Sequence, residues 1–183
     1  IAIVELEQEA VSLDPTQEAG AALGFLDRLL MSLSSLAGFA LDDMTQDQSW
    51  RFLMLGRRIE RLQKLCALLC NTLPLPHGHS QAALDWLLDI ADSRITYRSR
   101  YLSSAQLIPV LDLLLLDPGN PHSVAFQLRQ IVQLLHAVGS AEHRTMSQLE
   151  AQLLSLDLAV IESDLALPQR LPHSLATLAK LLA

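Results

Sequence analysis

Aromatic side chains make up only 4% of the 183 residues, while 50% are apolar. Leucine and alanine dominate that half. A core of aliphatic chains suits packed helices better than a sheet sandwich, which draws on aromatic and β-branched residues. No stretch of useful length alternates apolar and polar residues, so no half-buried strand is expected. Cysteine is nearly missing: Cys66 and Cys70 stand four apart on one helix face, where disulfide geometry is not readily met. They read as packed core thiols. No uninterrupted apolar run reaches the ~18 residues of a membrane span, so no membrane is expected. The chain opens with neither Met nor a basic-then-apolar leader, and reads as a piece of something longer. Together these absences lead us to expect a cytoplasmic protein.

Recognisable catalytic and metal motifs are missing too. There is no Glu-x-x-His pair of the di-iron type, no zinc-protease helix, no phosphate loop and no G-x-S-x-G turn. His77-Gly78-His79 follows two prolines in a loop, with no third and fourth ligand in view. Asp42, Asp43 and Asp47 invite comparison with the aspartate-rich magnesium motif of prenyl-diphosphate enzymes. The third aspartate stands one residue too far along, and helix capping explains all three more simply. We expect no metal and no cofactor.

Charge is scarce in one form: only Lys64 and Lys180 are lysines, so the basic residues are nearly all arginine. The formal net charge of −7 argues against a nucleic-acid binder, since the phosphate backbone would be repelled. Yet eight of the 13 basic residues fall within residues 51–100 against four acids, which leaves that stretch at +4. Arginine suits places where a planar fork meets carboxylate or phosphate, or where a charge is partly buried.

Several long helical periodicities are present. Residues 50–61 read W-R-F-L-M-L-G-R-R-I-E-R. From Phe52, the residues Leu55, Ile59, Leu62, Cys66, Leu69 and Leu73 recur three or four apart and predict one contiguous core stripe. Trp50, Met54, Leu65 and Leu68 form a second apolar set, and Arg57, Glu60 and Arg61 run beside it. Thr45 with Gln48 has capping-box spacing, and Pro74 and Pro76 should stop the helix near Thr72.

An amphipathic helix is expected over residues 1–13. A second should be capped by Asp14, opened by Pro15, and carry Leu26, Leu29, Leu33, Leu36 and Ala40. Residues 80–102 read as one further helix, with a stripe of Trp86, Ile90, Tyr97 and Tyr101 and a polar face of Asp85, Asp89 and Asp92. A short apolar segment starts at Pro109. Asn120 should then cap a helix opened by Pro121 and closed by Gly139. Ser140 should cap the helix carrying Met146, Leu149, Leu153, Leu156 and Val160, and residues 174–182 should form the last. The expectation is a single all-α domain over residues 1–183, a bundle of about six or seven helices.

Three stretches carry a resemblance. They are residues 50–61, L-L-D-I-A-D-S-R-I-T-Y-R-S-R-Y-L (87–102) and L-D-L-L-L-L-D-P-G-N-P-H-S-V-A-F-Q-L (111–128). In order and spacing they resemble the alpha-E domain, a bacterial all-helical domain named for a Glu-Arg pair, here Glu60-Arg61. Members of that family are larger and carry an earlier Glu-Arg helix, which implies that this chain is the C-terminal part of such a domain. The loss of that earlier helix would bare the second apolar face, or leave it to a second copy in a symmetric dimer. The family's company implies an ATP-grasp-type protein or domain as partner, and a transglutaminase-like protein as another. Carried over residue by residue, the candidate ligand-binding set is Arg57, Arg58, Glu60, Arg61, Asp92, Tyr97, Arg98 and Arg100.

Two functions are weighed on this footing. The first is a non-catalytic helical module supporting an ATP-grasp-type ligase in peptide or amide-bond formation or peptide modification. The second is an enzyme, or half of one, whose Arg/Glu/Asp cluster binds a phosphorylated or carboxylate substrate. The first expects Arg57 and Arg61 satisfied within the bundle and far from any cleft, with at least one of Arg57, Arg58 and Arg61 hydrogen-bonded to Asp85, Asp89 or Asp92. The second expects them to line a concave pocket with a donor left over.

Overall fold

The computed structural model describes residues 19–156 and 158, and among these every regular element is helical. The helices expected over 1–13 and 174–182, and the cap at Asp14, lie outside the described residues. The chain forms two compact units, residues 1–50 and 51–183.

In the first unit, α1 runs Ala19–Asp42. Of its expected stripe only Ala40 is buried and Leu29 half-buried, whereas Leu26, Leu33 and Leu36 are exposed; Phe25, outside that stripe, is buried. Taken as a helix, Ala22–Asp42 is long and apolar enough by composition to cross a membrane, with a mean hydropathy of 1.3. Counting uninterrupted runs missed it because Asp27 and Arg28 break the run. Core helices and leader segments share this property. The indole of Trp50 donates to the Ala40 carbonyl at 2.6 Å, closing the unit.

Helix α2 runs Gln48–Thr72, as the prolines after it foretold. Its cap differs from expectation: the Asp47 carboxylate, not Thr45, accepts the Trp50 amide at 3.0 Å. The stripe Leu55, Leu62, Cys66, Leu69 and Leu73 is buried in one core, with Ile59 packed partly against it. Phe52 is the correction. It lies one turn before the core begins and is 56% exposed. On the second face Met54 and Leu65 are buried and Trp50 and Leu68 half-buried, so the open patch expected there is largely closed.

The single helix expected over residues 80–102 is two: α3 (Gln81–Ile90), capped by the Ser80 hydroxyl, and α4 (Arg94–Tyr101). The break closes as a Schellman turn. The Ser93 amide donates to the Leu88 carbonyl at 2.8 Å and the Asp92 amide to that of Asp89 at 3.0 Å. Asp92 takes the left-handed seat at φ 47°, a seat glycine usually fills. The break splits the expected stripe. Trp86 and Ile90 are exposed, while Tyr97 is buried and stacks on Tyr101 with ring centroids 4.9 Å apart.

Next, α5 (Leu107–Leu111) runs into a π-helical turn, Asp112–Leu116, and Val110, Leu111, Leu113, Leu114 and Leu115 are all buried. A helix apolar all round belongs at the centre of a core. The loop after it, D-P-G-N-P-H-S, leads to α6 (Val124–Ala137), whose cap is the Ser123 hydroxyl rather than Asn120. Gly139 ends α6 as expected, in the left-handed conformation at φ 76°. Ser140 stands outside α7 (His143–Leu154), although its hydroxyl accepts the Glu142 amide in the turn before it. Helices α6 and α7 pack along each other, with Met146 and Leu153 buried.

Candidate functional site

A cluster of buried polar groups positions the site. The Asn120 side chain donates to the Leu113 carbonyl (3.0 Å) and the Ser93 hydroxyl (3.3 Å), and accepts from the His122 amide (3.1 Å). Ser93 in turn donates to the Ala91 carbonyl at 3.0 Å. These bonds tie the loop after the π-turn to the α3–α4 break, because a buried amide must satisfy both its ends. Asp92 and His122 are thereby brought together, with His122 Nε2 3.8 Å from Asp92 Oδ2.

Opposite them runs the middle of α2. Between lies a cleft of about 570 Å³, with Arg61, Lys64, Asn71, Asp92, His122 and Gln127 as its polar lining. Leu65, Leu68, Ile90 and Pro121 supply apolar wall. The volume falls within the usual ~300–1,000 Å³ of small-ligand sites. No hydroxyl or thiol lines it. Among the described residues, no three His, Cys, Asp or Glu stand close enough to hold a metal ion.

The arginines do not find the aspartates assigned to them above. Asp85 and Asp89 are taken by Arg94, which the helix break lets reach back at 3.3 and 3.0 Å. Its Nε, buried and near Asp89, is poorly aligned and makes no hydrogen bond. No bond therefore joins Arg57, Arg58 or Arg61 to Asp85, Asp89 or Asp92. Arg58 instead points at α6: its Nη1 lies 3.5 Å from Gln127 Oε1, and its guanidinium is 5.5 Å from the centre of the Phe126 ring. Gln127 is itself held, donating through Nε2 to the Pro121 carbonyl. Neither Arg57 nor Arg61 makes an ion pair with any carboxylate among the described residues. Burial, then repulsion from Arg57, lowers the Arg61 pKa, and Glu60 offsets part of this. Arg58 is lowered by burial first, then by Arg61 and Arg57.

The other members of the carried-over set are placed elsewhere. Glu60 is exposed and pairs with Lys64 at 2.8 Å, which lowers its pKa. Tyr97 is a core residue whose hydroxyl donates to the Ser104 carbonyl and accepts the Gln106 amide, both at 3.1 Å. Arg98 is exposed. Arg100 pairs with Asp117 at 2.5 Å, and that hydrogen bond raises its pKa. Of the eight, only Arg61 and Asp92 line the cleft, with Arg58 behind it. Lys64 and Asn71 join them at helical spacing from Arg61 on α2, whereas His122 and Gln127 come from other segments and carry no signal in spacing.

The chain's one Glu-Arg dipeptide, Glu60-Arg61, thus places its arginine on the cleft. The Alpha-E family model, described as a predicted alpha-helical domain with a conserved ER motif, matches residues 3–183. The chain belongs to the Alpha-E family. It is 33% identical over 124 residues to uncharacterized protein Rv2567 of Mycobacterium tuberculosis and to uncharacterized protein Mb2597 of Mycobacterium bovis. Those matches cover 64% of this chain and 14% of each relative, so the chain spans a small part of the relatives' length. No solved structure matches this Alpha-E chain.

Separate mutation of the two cleft residues should be mild. Arg61→Ala and Asp92→Asn, which keeps a side chain that accepts the left-handed seat, are each expected to change unfolding free energy by under ~1 kcal/mol, additively in the double variant, because no bond joins them. A coupling above ~1 kcal/mol in urea unfolding would show that the two charges pair after all.

Proposed function

We propose that residues 51–183 form a helical module that binds a carboxylate- or phosphate-bearing group. In this reading the module supports an ATP-grasp-type ligase in peptide or amide-bond formation or in peptide modification. One observation carries the binding half: Arg61 lines a concave cleft and has no ion pair with a carboxylate among the described residues. Arg61 is solvent-exposed at the cleft, so its guanidinium donors are open to a ligand rather than used by the fold. Its planar fork matches carboxylate and phosphate oxygens. The partner half rests on the company that Alpha-E domains keep, and the chemistry agrees with it. ATP-dependent amide formation runs on carboxylates and their phosphorylated forms, the class of group an arginine fork takes. The enzyme reading draws on the same cleft: Arg61 on a concave wall is what that reading expects, and His122 beside Asp92 would be its acid–base pair, but the lining offers no hydroxyl or thiol nucleophile.

Inorganic phosphate titrated into the 183-residue chain at constant ionic strength is the direct test. Saturable amide shifts are expected around residues 58–68, 90–92 and 121–122. Arg61→Gln should weaken binding roughly tenfold or more, the worth of a charge-assisted hydrogen bond, while the exposed Arg144→Gln should leave it unchanged. Shifts that never saturate, or that are the same in Arg61→Gln, would overturn the anion site.

A further inference from the structure

We infer that the cleft takes a zwitterion, a free amino acid or short peptide. Its carboxylate meets Arg61, its ammonium meets Asp92, and its apolar side chain packs on Leu65, Leu68 and Ile90. The inference rests on the anion-binding reading and adds the opposite charge to it.

The state of Asp92 carries the argument. The other carboxylates of the region are used by the fold. Asp85 and Asp89 hold Arg94, Asp117 holds Arg100, Glu150 holds Arg129 at 3.1 Å, and Asp112 accepts the Tyr101 hydroxyl at 2.5 Å. The Asp92 side chain is 90% exposed, and His122 Nε2 lies 3.8 Å from its carboxylate, beyond hydrogen-bond length. Its backbone is nonetheless held in the left-handed seat at φ 47°, where glycine would be less strained. An exposed carboxylate without a hydrogen bond, on a turn held in this conformation, is available to a ligand. The seat is also rigid, because the bonds among Ser93, Asn120 and Ala91 fix the turn.

The lining then selects among anions. A simple anion drawn to Arg61 would meet the negative charge of Asp92 on the same cleft. A zwitterion turns that repulsion into a second attraction. The apolar wall between strengthens both, since charges interact more strongly beside a surface of low polarity. Asn71, exposed on the cleft, adds an amide group that can pair with a peptide bond.

The test uses the 183-residue chain with three probes: leucyl-leucine, N-acetyl-leucyl-leucine and leucyl-leucinamide, followed by calorimetry and amide shifts. Leucyl-leucine should bind most tightly. Blocking either terminus should weaken it roughly ten- to hundredfold, the loss of one charge-assisted contact. Asp92→Asn is the decisive variant, because asparagine also accepts the left-handed seat and should leave the fold intact. It should weaken leucyl-leucine by a similar factor and bind N-acetyl-leucyl-leucine no more weakly, and somewhat more tightly where the lone carboxylate no longer meets the Asp92 charge. Equal binding of the free and acetylated dipeptides, with Asp92→Asn silent, would overturn the zwitterion yet leave the anion site standing. Equal binding of leucyl-leucine and its amide would remove Arg61 from the contact and overturn it as well. If neither inorganic phosphate nor any dipeptide binds, both readings fall together.

Discussion

Asn120→Ala is expected to destabilise the protein by about 2–4 kcal/mol, since it orphans several polar groups at once. The buried amide makes three bonds, to the Leu113 carbonyl, the Ser93 hydroxyl and the His122 amide. Water can replace the bond to His122, which is only part-buried, but not those to Leu113 and Ser93. Ser93→Ala removes one arm of the same network and should cost less, ~1 kcal/mol. The double variant should fall short of the sum, because both substitutions break the shared bond. Urea unfolding of the four proteins measures this. A loss below ~0.5 kcal/mol for Asn120→Ala would mean that the loop and the helix break are not held together through it. The site should suffer along with the fold: with the tie cut, Asp92 and His122 lose their fixed placement beside α2.

The second large effect is expected at Gly78, in the loop that returns the chain after α2. A Cβ there would fall on the Thr72 carbonyl oxygen and lie 2.8 Å from that of Leu73. Both obstacles are backbone at the end of a helix and cannot swing aside. Gly78→Ala should therefore destabilise by about 2–3 kcal/mol, the usual size of overpacking in a closed site. Gly56 is the matched control: it lies on the exposed side of α2, and a Cβ there meets nothing within 4 Å. Gly56→Ala should stabilise by roughly 0.5–1 kcal/mol, by reducing the freedom of the unfolded chain and raising helix propensity. Thermal unfolding of the two variants should move in opposite directions. A shared direction would show that the loop relaxes more easily than its geometry implies.

Much of the helical organisation was legible in the residues. Proline after α2 and glycine after α6 mark where helices must stop, because each acts on the chain locally. The three-and-four spacing of Leu55, Leu62, Cys66 and Leu69 named most of the α2 core face, because one helix face meets one core. Cys66, predicted as a packed thiol, is fully buried, and desolvation pushes its pKa up to about 12.

The helix break at residues 91–93 was not legible. Neither glycine nor proline marks it, and the apolar spacing runs on through it. Asp92 adopts the left-handed seat because bonds from Ser93 to Leu88 and Asn120, residues distant in sequence or across the turn, hold it there. Everything that distinguishes the site follows from that break. It lets Arg94 take Asp85 and Asp89, and so leaves Arg61 without the partner that spacing had assigned to it. It also sets Asp92 beside His122, thirty residues further along, a neighbour that no periodicity could supply. The sequence by itself determined the all-helical class, the limits of α2 and the Glu-Arg pair, because short-range sterics and burial of one face decide these. Only the tertiary structure decided which charges pair with one another and which do not, because ion pairing depends on distances between segments that local spacing does not encode.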